Sequence, residues 1–347
     1  MTSATRTVGG LALAVTASAT GLVRPATAQE GPVRFLRAVA DANREELALL
    51  ADGAPLVKTL RVDDDRELAQ VYVVRVRAPV AFILDQIRTR HVLLDDAGPG
   101  GARGMFGDPP AEGDLGGLDF ARAEIRDLER CLPGRCEVKL PAGSAERMHR
   151  AVDWTSPTAV DDANRFLRAL LFETLTGYVE AGALVVYEDK PEPLAVEEGF
   201  EKLFAQTSAL RDLDRSFHGH LTRFPESRAP GVEDLFRWTV EDLGMKSLVS
   251  LDHIAIRERS ETPGTALVGI KRFYASHYFQ AAVRVITLSP ATADPAAPDA
   301  YVTVLARFRF DGELGGIKRV ATERRLERNA ERAMADARAR LEALYRD

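Results

Sequence analysis

The side chains best able to carry chemistry in this 347-residue chain are its six histidines and two cysteines. His277 stands in the run from Phe273 to Phe279 (FYASHYF). Strand alternation would put Phe273, Ala275, His277, Phe279 and Ala281 on one face, and Tyr274, Ser276, Tyr278 and Gln280 on the other. A histidine among large and small apolar neighbours suits two roles. It can be a core imidazole satisfied by a backbone carbonyl, or the polar anchor of a ligand cavity that the small residues leave open. As a general acid or base it would need a neighbouring Tyr or Asp to orient it. The run Ala266 to Leu288 is long for one strand, so a bulge or turn near 275–277 would reverse this facing.

His218 and His220 are two apart, and His253 or His277 could complete a metal set. Their surroundings read instead as the end of a helix, where a histidine favours the dipole, so no metal is expected. No Gly-x-Ser-x-Gly elbow supports a Ser-His-Asp hydrolase. The acid pairs Asp95-Asp96, Asp161-Asp162 and Glu197-Glu198 read as solvated surface, and no cofactor is expected.

Cys131 and Cys136 flank Leu-Pro-Gly-Arg, whose Pro133-Gly134 is a turn pair that brings two thiols within bridging range. A local disulfide is expected if the chain reaches an oxidising compartment. The N-terminus supports such an export. Arg6, the apolar stretch from Val8 to Val23 and Ala26-Thr27-Ala28 have the layout of a signal peptide over 1–28, which leaves 29–347 periplasmic or secreted. The metal reading of the cysteines lacks further thiol ligands, and a redox pair usually has two intervening residues rather than four.

Elements must position these groups. Leu68 to Val76 reads as a strand, and Pro79 opens a short helix over Val80 to Ile87. The Gly/Pro/Asp-rich stretch 95–117 reads as a surface loop, since Gly98 to Gly104 lacks the flanking strand and helix of a phosphate cradle. Residues 119–130 look helical. Ser156-Pro157 then caps a long amphipathic helix whose apolar residues recur from Val160 to Tyr178 until Gly182. A short strand at Ala183 to Tyr187 follows, and 194–221 and 232–243 read as helical. Leu248 to Arg257, Ala266 to Leu288 and Asp299 to Phe310 favour strands in an antiparallel meander. In the last, Val302, Val304, Ala306, Phe308 and Phe310 share one face, opposite Tyr301, Thr303, Arg307 and Arg309. Leu326, Ala330, Met334, Ala337, Leu341 and Leu344 recur at helical spacing in an Arg/Glu-rich background, so a long last helix carries one apolar stripe.

Composition narrows the function classes. With 46% hydrophobic and 28% charged residues the chain is globular in type. A net charge of −6 supplies no general pull on nucleic acid or anionic lipid, so no nucleic-acid partner is expected. No apolar stretch reaches the roughly 18 residues of a transmembrane segment.

The strand leading into Pro79 to Leu84, the later antiparallel strands, and the long helix after Phe308 to Gly316 together resemble the START-like helix-grip (SRPBCC) superfamily. Leu128 to Pro141 and Tyr274 to Phe279 are also similar to segments of uncharacterised exported bacterial proteins. The resemblance covers roughly 66–90 and 247–345. It implies an α+β fold in which a curved antiparallel sheet is packed on the long C-terminal helix, with a largely helical insertion over about 91–246. It also implies a hydrophobic, lipid-like small molecule held between sheet and helix, where Phe273, His277, Phe279, Val304, Phe308 and Met334 would line the ligand. Binding or transfer is therefore the expected function. The alternatives are a hydrolase- or cyclase-type enzyme with His277 as acid or base, and an envelope interaction protein with a filled core.

Overall fold

A computed structural model describes residues 42–94, 101–242, 246–292 and 294–347. The signal-peptide expectation over 1–28 and the Asp95-Asp96 pair lie outside these residues. In chain order the main elements are α1 (Arg44–Ala51), β1 (Leu56–Leu60), β2 (Glu67–Val76), α2 (Val80–Arg90), β3 (Ala102–Met105), α3 (Arg122–Glu129), α4 (Ser144–Ala151) and α5 (Ala159–Ala181). The small hairpin β4 (Val186–Tyr187) and β5 (Leu194–Ala195) follows, then α6 (Val196–Ala205), α7 (Ser208–Leu213) and α8 (Arg215–Thr222). The chain closes with β6 (Val232–Asp242), β7 (Ser247–Glu258), β8 (Ala266–Ala275), β9 (Phe279–Pro290), β10 (Ala300–Phe310) and α9 (Gly316–Arg346).

Eight strands form one antiparallel sheet in the order β1-β2-β10-β9-β8-β7-β6-β3. The fold is α+β, and five consecutive strands from β6 to β10 make the meander. The long apolar run divides into β8 and β9 around Ser276 to Tyr278, as its length requires. One face carries Val74, Val268, Ile254, Ile286, Val302 and Val304 against Ile83 and Ile87 of α2 and Met334 and Leu341 of α9. The other carries Leu251, Leu267, Phe273, Val283 and Val285 against Leu167, Leu171 and Tyr178 of α5 and Phe200 and Leu203 of α6.

The two long helices are held unequally. Along α5 seven residues are buried, whereas α9 buries only Ala330, Met334 and Leu341. At about 1.5–3 kcal/mol per large apolar side chain, Met334 and Leu341 anchor α9 by roughly 3–6 kcal/mol. Polar contacts add to this. Thr59 Oγ1 donates to Glu327 Oε1 at 2.7 Å, and the Arg77 backbone N–H donates to Glu342 Oε1 at 3.0 Å.

Two stretches depart from the expected pattern. Residues 232–242 are not helical but form β6, paired with β7 on one side and β3 on the other. Charged residues on both of its faces hide the alternation, because Arg237 and Glu241 find buried partners in Asp252 and Arg272 instead of water. Within the expected loop 95–117, Ala102–Met105 is a strand on β6. Its short sequence has no apolar signal. Gly104 lies under the Trp238 indole, where a Cβ would sit 2.5 Å from Nε1, so only glycine allows that approach. The sheet thus takes in both ends of the stretch read as inserted, and the helical part lies between β3 and β6.

Helix α5 is capped two residues later than expected, with Thr158 at the N-cap and its N–H donated to Ser156 Oγ at 3.2 Å. It ends at Gly182, whose φ of 67° and 2.7 Å approach of a would-be Cβ to the Phe224 carbonyl demand glycine.

Candidate functional site

Near the β8–β9 turn a cleft of about 1220 Å³ opens beside the cysteine loop. Cys131 and Cys136 form the expected disulfide, with Cα atoms 4.6 Å apart, and both line the cleft. The loop is fastened to its neighbour by backbone bonds from Gly134 to Glu188 O and from Cys136 to Asp189 O.

His277 lies on this cleft and is 5% exposed. Its Nε2 is 2.9 Å from Glu124 Oε1, while Glu124 Oε2 accepts the Ala121 N–H at the start of α3. A carboxylate acceptor at Nε2 puts the proton of a neutral ring there and leaves the Nδ1 lone pair for a ligand. The next residue fixes the ring's direction. Tyr278 has φ of 64°, and Phe279 N–H donates to His277 O at 2.7 Å around it. That is the rarer form of γ-turn, and positive φ at a bulky residue costs about 1–3 kcal/mol. Three bonds hold it in place. Tyr278 OH accepts the Lys246 N–H at 2.7 Å and donates to Lys246 O at 3.0 Å, and Asp311 N–H donates to Tyr278 O.

Lys139 is buried at the same end of the sheet. Its ammonium donates to the Phe279 carbonyl, lies 3.7 Å from Asp311 Oδ2 and stands 4.7 Å from the centre of the Tyr187 ring. Burial pushes it down to about 8 against the pull of Asp311 and Asp189. Asp189, 7% exposed, also faces the cleft, and burial raises its carboxyl although Lys139 opposes this. The surrounding charges are largely paired. Lys246 bridges Asp127 and Glu137, each at 3.0 Å, and Lys190 is 3.8 Å from Asp311.

A second cluster joins α5, α8, β6 and β7. Asp234 Oδ1 lies 2.7 Å from His220 Nε2 and 2.8 Å from His253 Nε2, and all three ligand atoms fall within 4.8 Å of one another. Spacing alone would suit a metal. The hydrogen bonds argue otherwise, because His220 Nδ1 accepts the Ala229 N–H at 3.0 Å and so cannot itself carry a proton. The proton of neutral His220 is therefore on Nε2, pointing at Asp234, where a metal would need a lone pair. His253 completes the chain, with Nδ1 2.9 Å from Tyr178 OH. Burial drives His253 down to about 4, so this ring is neutral and accepts the phenol proton. Burial alone would raise the Asp234 carboxyl, but the two imidazole donors outweigh it and hold it well below the usual carboxylate range. Each group thus has a defined partner. The cluster ties the helical layer to the sheet.

Of the ligand-lining residues expected from the sequence, only His277 reaches the cleft. Val304 and Met334 meet in the core beneath α9. Phe279 and Phe308 pack together at the near end of the sheet, their ring centres 5.6 Å apart. Phe273 lies on the opposite face, stacked on Tyr178 at 4.2 Å. His218 is separated from His220 and abuts the Phe204 ring at 5.7 Å. Sequence reasoning passed over Glu124, Lys139, Asp189 and Asp234. The only local sign was a basic residue within the apolar sequence Val138 to Leu140. No family model and no curated protein matches this sequence.

Proposed function

We propose that this chain is an exported small-molecule-binding protein of START-like, helix-grip build, and that its ligand sits in the cleft beside the Cys131–Cys136 loop. The observation that carries this reading is His277 on the cleft wall, its ring held at Nε2 by buried Glu124, which leaves Nδ1 with no hydrogen-bond partner among the described residues. Pre-oriented acceptors in a cleft are what a binding site requires, since ordering is then complete before the ligand arrives. Two features favour the helix-grip build: the pairing of β10 with β2, and the return of α9 across β2 and β1. The disulfide favours export. Native mass spectrometry of residues 29–347, purified from the cell that makes them, should reveal a bound mass that His277→Ala loses. A mass retained in that variant would rule against the cleft.

A lipid-like ligand between sheet and α9 is the second reading. It is favoured by the light anchoring of α9 through Met334 and Leu341. Under this reading solvent extraction would release an apolar molecule unaffected by His277→Ala. Catalysis in the cleft is favoured by the Glu124–His277 orientation, and predicts that His277→Ala loses turnover while keeping ligand.

A further inference from the structure

We infer that the group seated in this cleft is a cation with N–H donors, an alkylammonium or guanidinium, held by the Asp189 carboxylate. This rests on the cleft being the ligand site. Asp189 is 7% exposed and lines the cleft, yet among the described residues no basic nitrogen lies within ion-pair distance of it. The two nearby ammonium groups are both turned to Asp311, Lys139 at 3.7 Å and Lys190 at 3.8 Å. Lys139 also donates to the Phe279 carbonyl. A buried carboxylate without an ion partner is costly, and a cation that brings its own N–H donors removes that cost.

The second fixed group on the cleft wall points to the same class. His277 Nδ1 is an acceptor, because the ring's proton faces Glu124. The Asp189 carboxylate and His277 Nδ1 are thus both acceptors, and a ligand that meets the two answers them with donors. Basic residues on the wall do not reverse this. Lys246 is committed to Asp127 and Glu137, and Arg130 is 3.8 Å from Asp127, while Arg135 is exposed to water. Exposed Glu129 and Glu137 at the rim are matched by exposed Arg130 and Arg135, so the buried acceptors select the ligand.

The test is calorimetric titration of residues 29–347 with putrescine, with its uncharged isostere 1,4-butanediol, and with acetate and phosphate, followed by proton NMR of the His277 ring. Putrescine should bind, butanediol should bind at least about tenfold more weakly, and Asp189→Asn should lose about tenfold in putrescine affinity. Equal affinity for the diamine and the diol would overturn the inference using unaltered protein, whatever the variant's folding. Acetate or phosphate moving the His277 signals while putrescine does not would overturn the ligand class but keep the cleft. Silence from all four probes would count against both.

Discussion

Glu124 and His277, 153 positions apart in the chain, meet at 2.9 Å with side chains only 4% and 5% exposed. The contact fastens α3, in the helical layer, to the turn between two central strands. Removing one partner leaves the other buried and unsatisfied, which costs more than the bond itself contributes. Glu124→Ala should therefore lower stability by about 1–3 kcal/mol, whereas Glu124→Gln, which keeps an acceptor, should lose less. Urea unfolding of both variants measures this, and equal losses would contradict it.

The Tyr178–His253–Asp234–His220 chain makes stability depend on pH. His253 is driven from the ordinary 6.5 down to about 4 in the folded protein, so between these values the unfolded chain binds the extra proton. Its contribution is complete above about pH 6.5 and falls as pH drops toward 4, by about 3 kcal/mol at most. Urea midpoints from pH 8 to 4 should trace this loss, and His253→Gln should flatten it. A wild-type profile level across that range would remove the assignment.

Lys271 lies 2% exposed on β8, with its ammonium 5.2 Å from the Tyr178 ring centre and 4.6 Å from that of Phe200. Burial pushes it down to about 8 despite the attraction of Glu197. Its unfolded value is near 10.5, so folding becomes more favourable as pH rises from 8 to 10.5. Replacing a buried charge by a similar apolar shape is often stabilising. Lys271→Met should raise stability at pH 7 by about 1–3 kcal/mol, a gain that shrinks towards pH 10.5. Destabilisation at pH 7 would mean that the two rings outweigh the cost of burial.

The cysteine bridge closes a loop with a sequence separation of only 5, which by the loop-entropy relation contributes about 2 kcal/mol. Cys131→Ser with Cys136→Ser should therefore leave the chain folded. Because the loop walls the cleft, the same variant should weaken ligand retention in native mass spectra. Unfolding of the double variant at room temperature would show that the bridge does more than pin a turn.

Short-range chemistry made much of the fold legible. The apolar spacing of α5, the alternation along β10, Pro79 before α2 and the Pro133-Gly134 turn each depend on neighbours a few residues apart, and a reader of the chain sees them directly. Where long-range contacts reverse a local signal, the reading failed. In β6, Arg237 and Glu241 look solvated until Asp252 and Arg272 arrive from β7 and β8. In β3, Gly104 has no strand character until Trp238 lies over it.

The amino-acid order by itself settled which segments repeat with helical or strand period, where turns are cheap, and that Cys131 and Cys136 could close on each other. Only tertiary structure decided that Glu124 stands behind His277, that Asp234 draws together two histidines 33 residues apart, and that Asp189 faces the cleft while the neighbouring Lys139 and Lys190 turn to Asp311. The reason is physical: periodicity is set by bonds along the backbone, whereas the partner of a buried charge is set by which strands lie side by side.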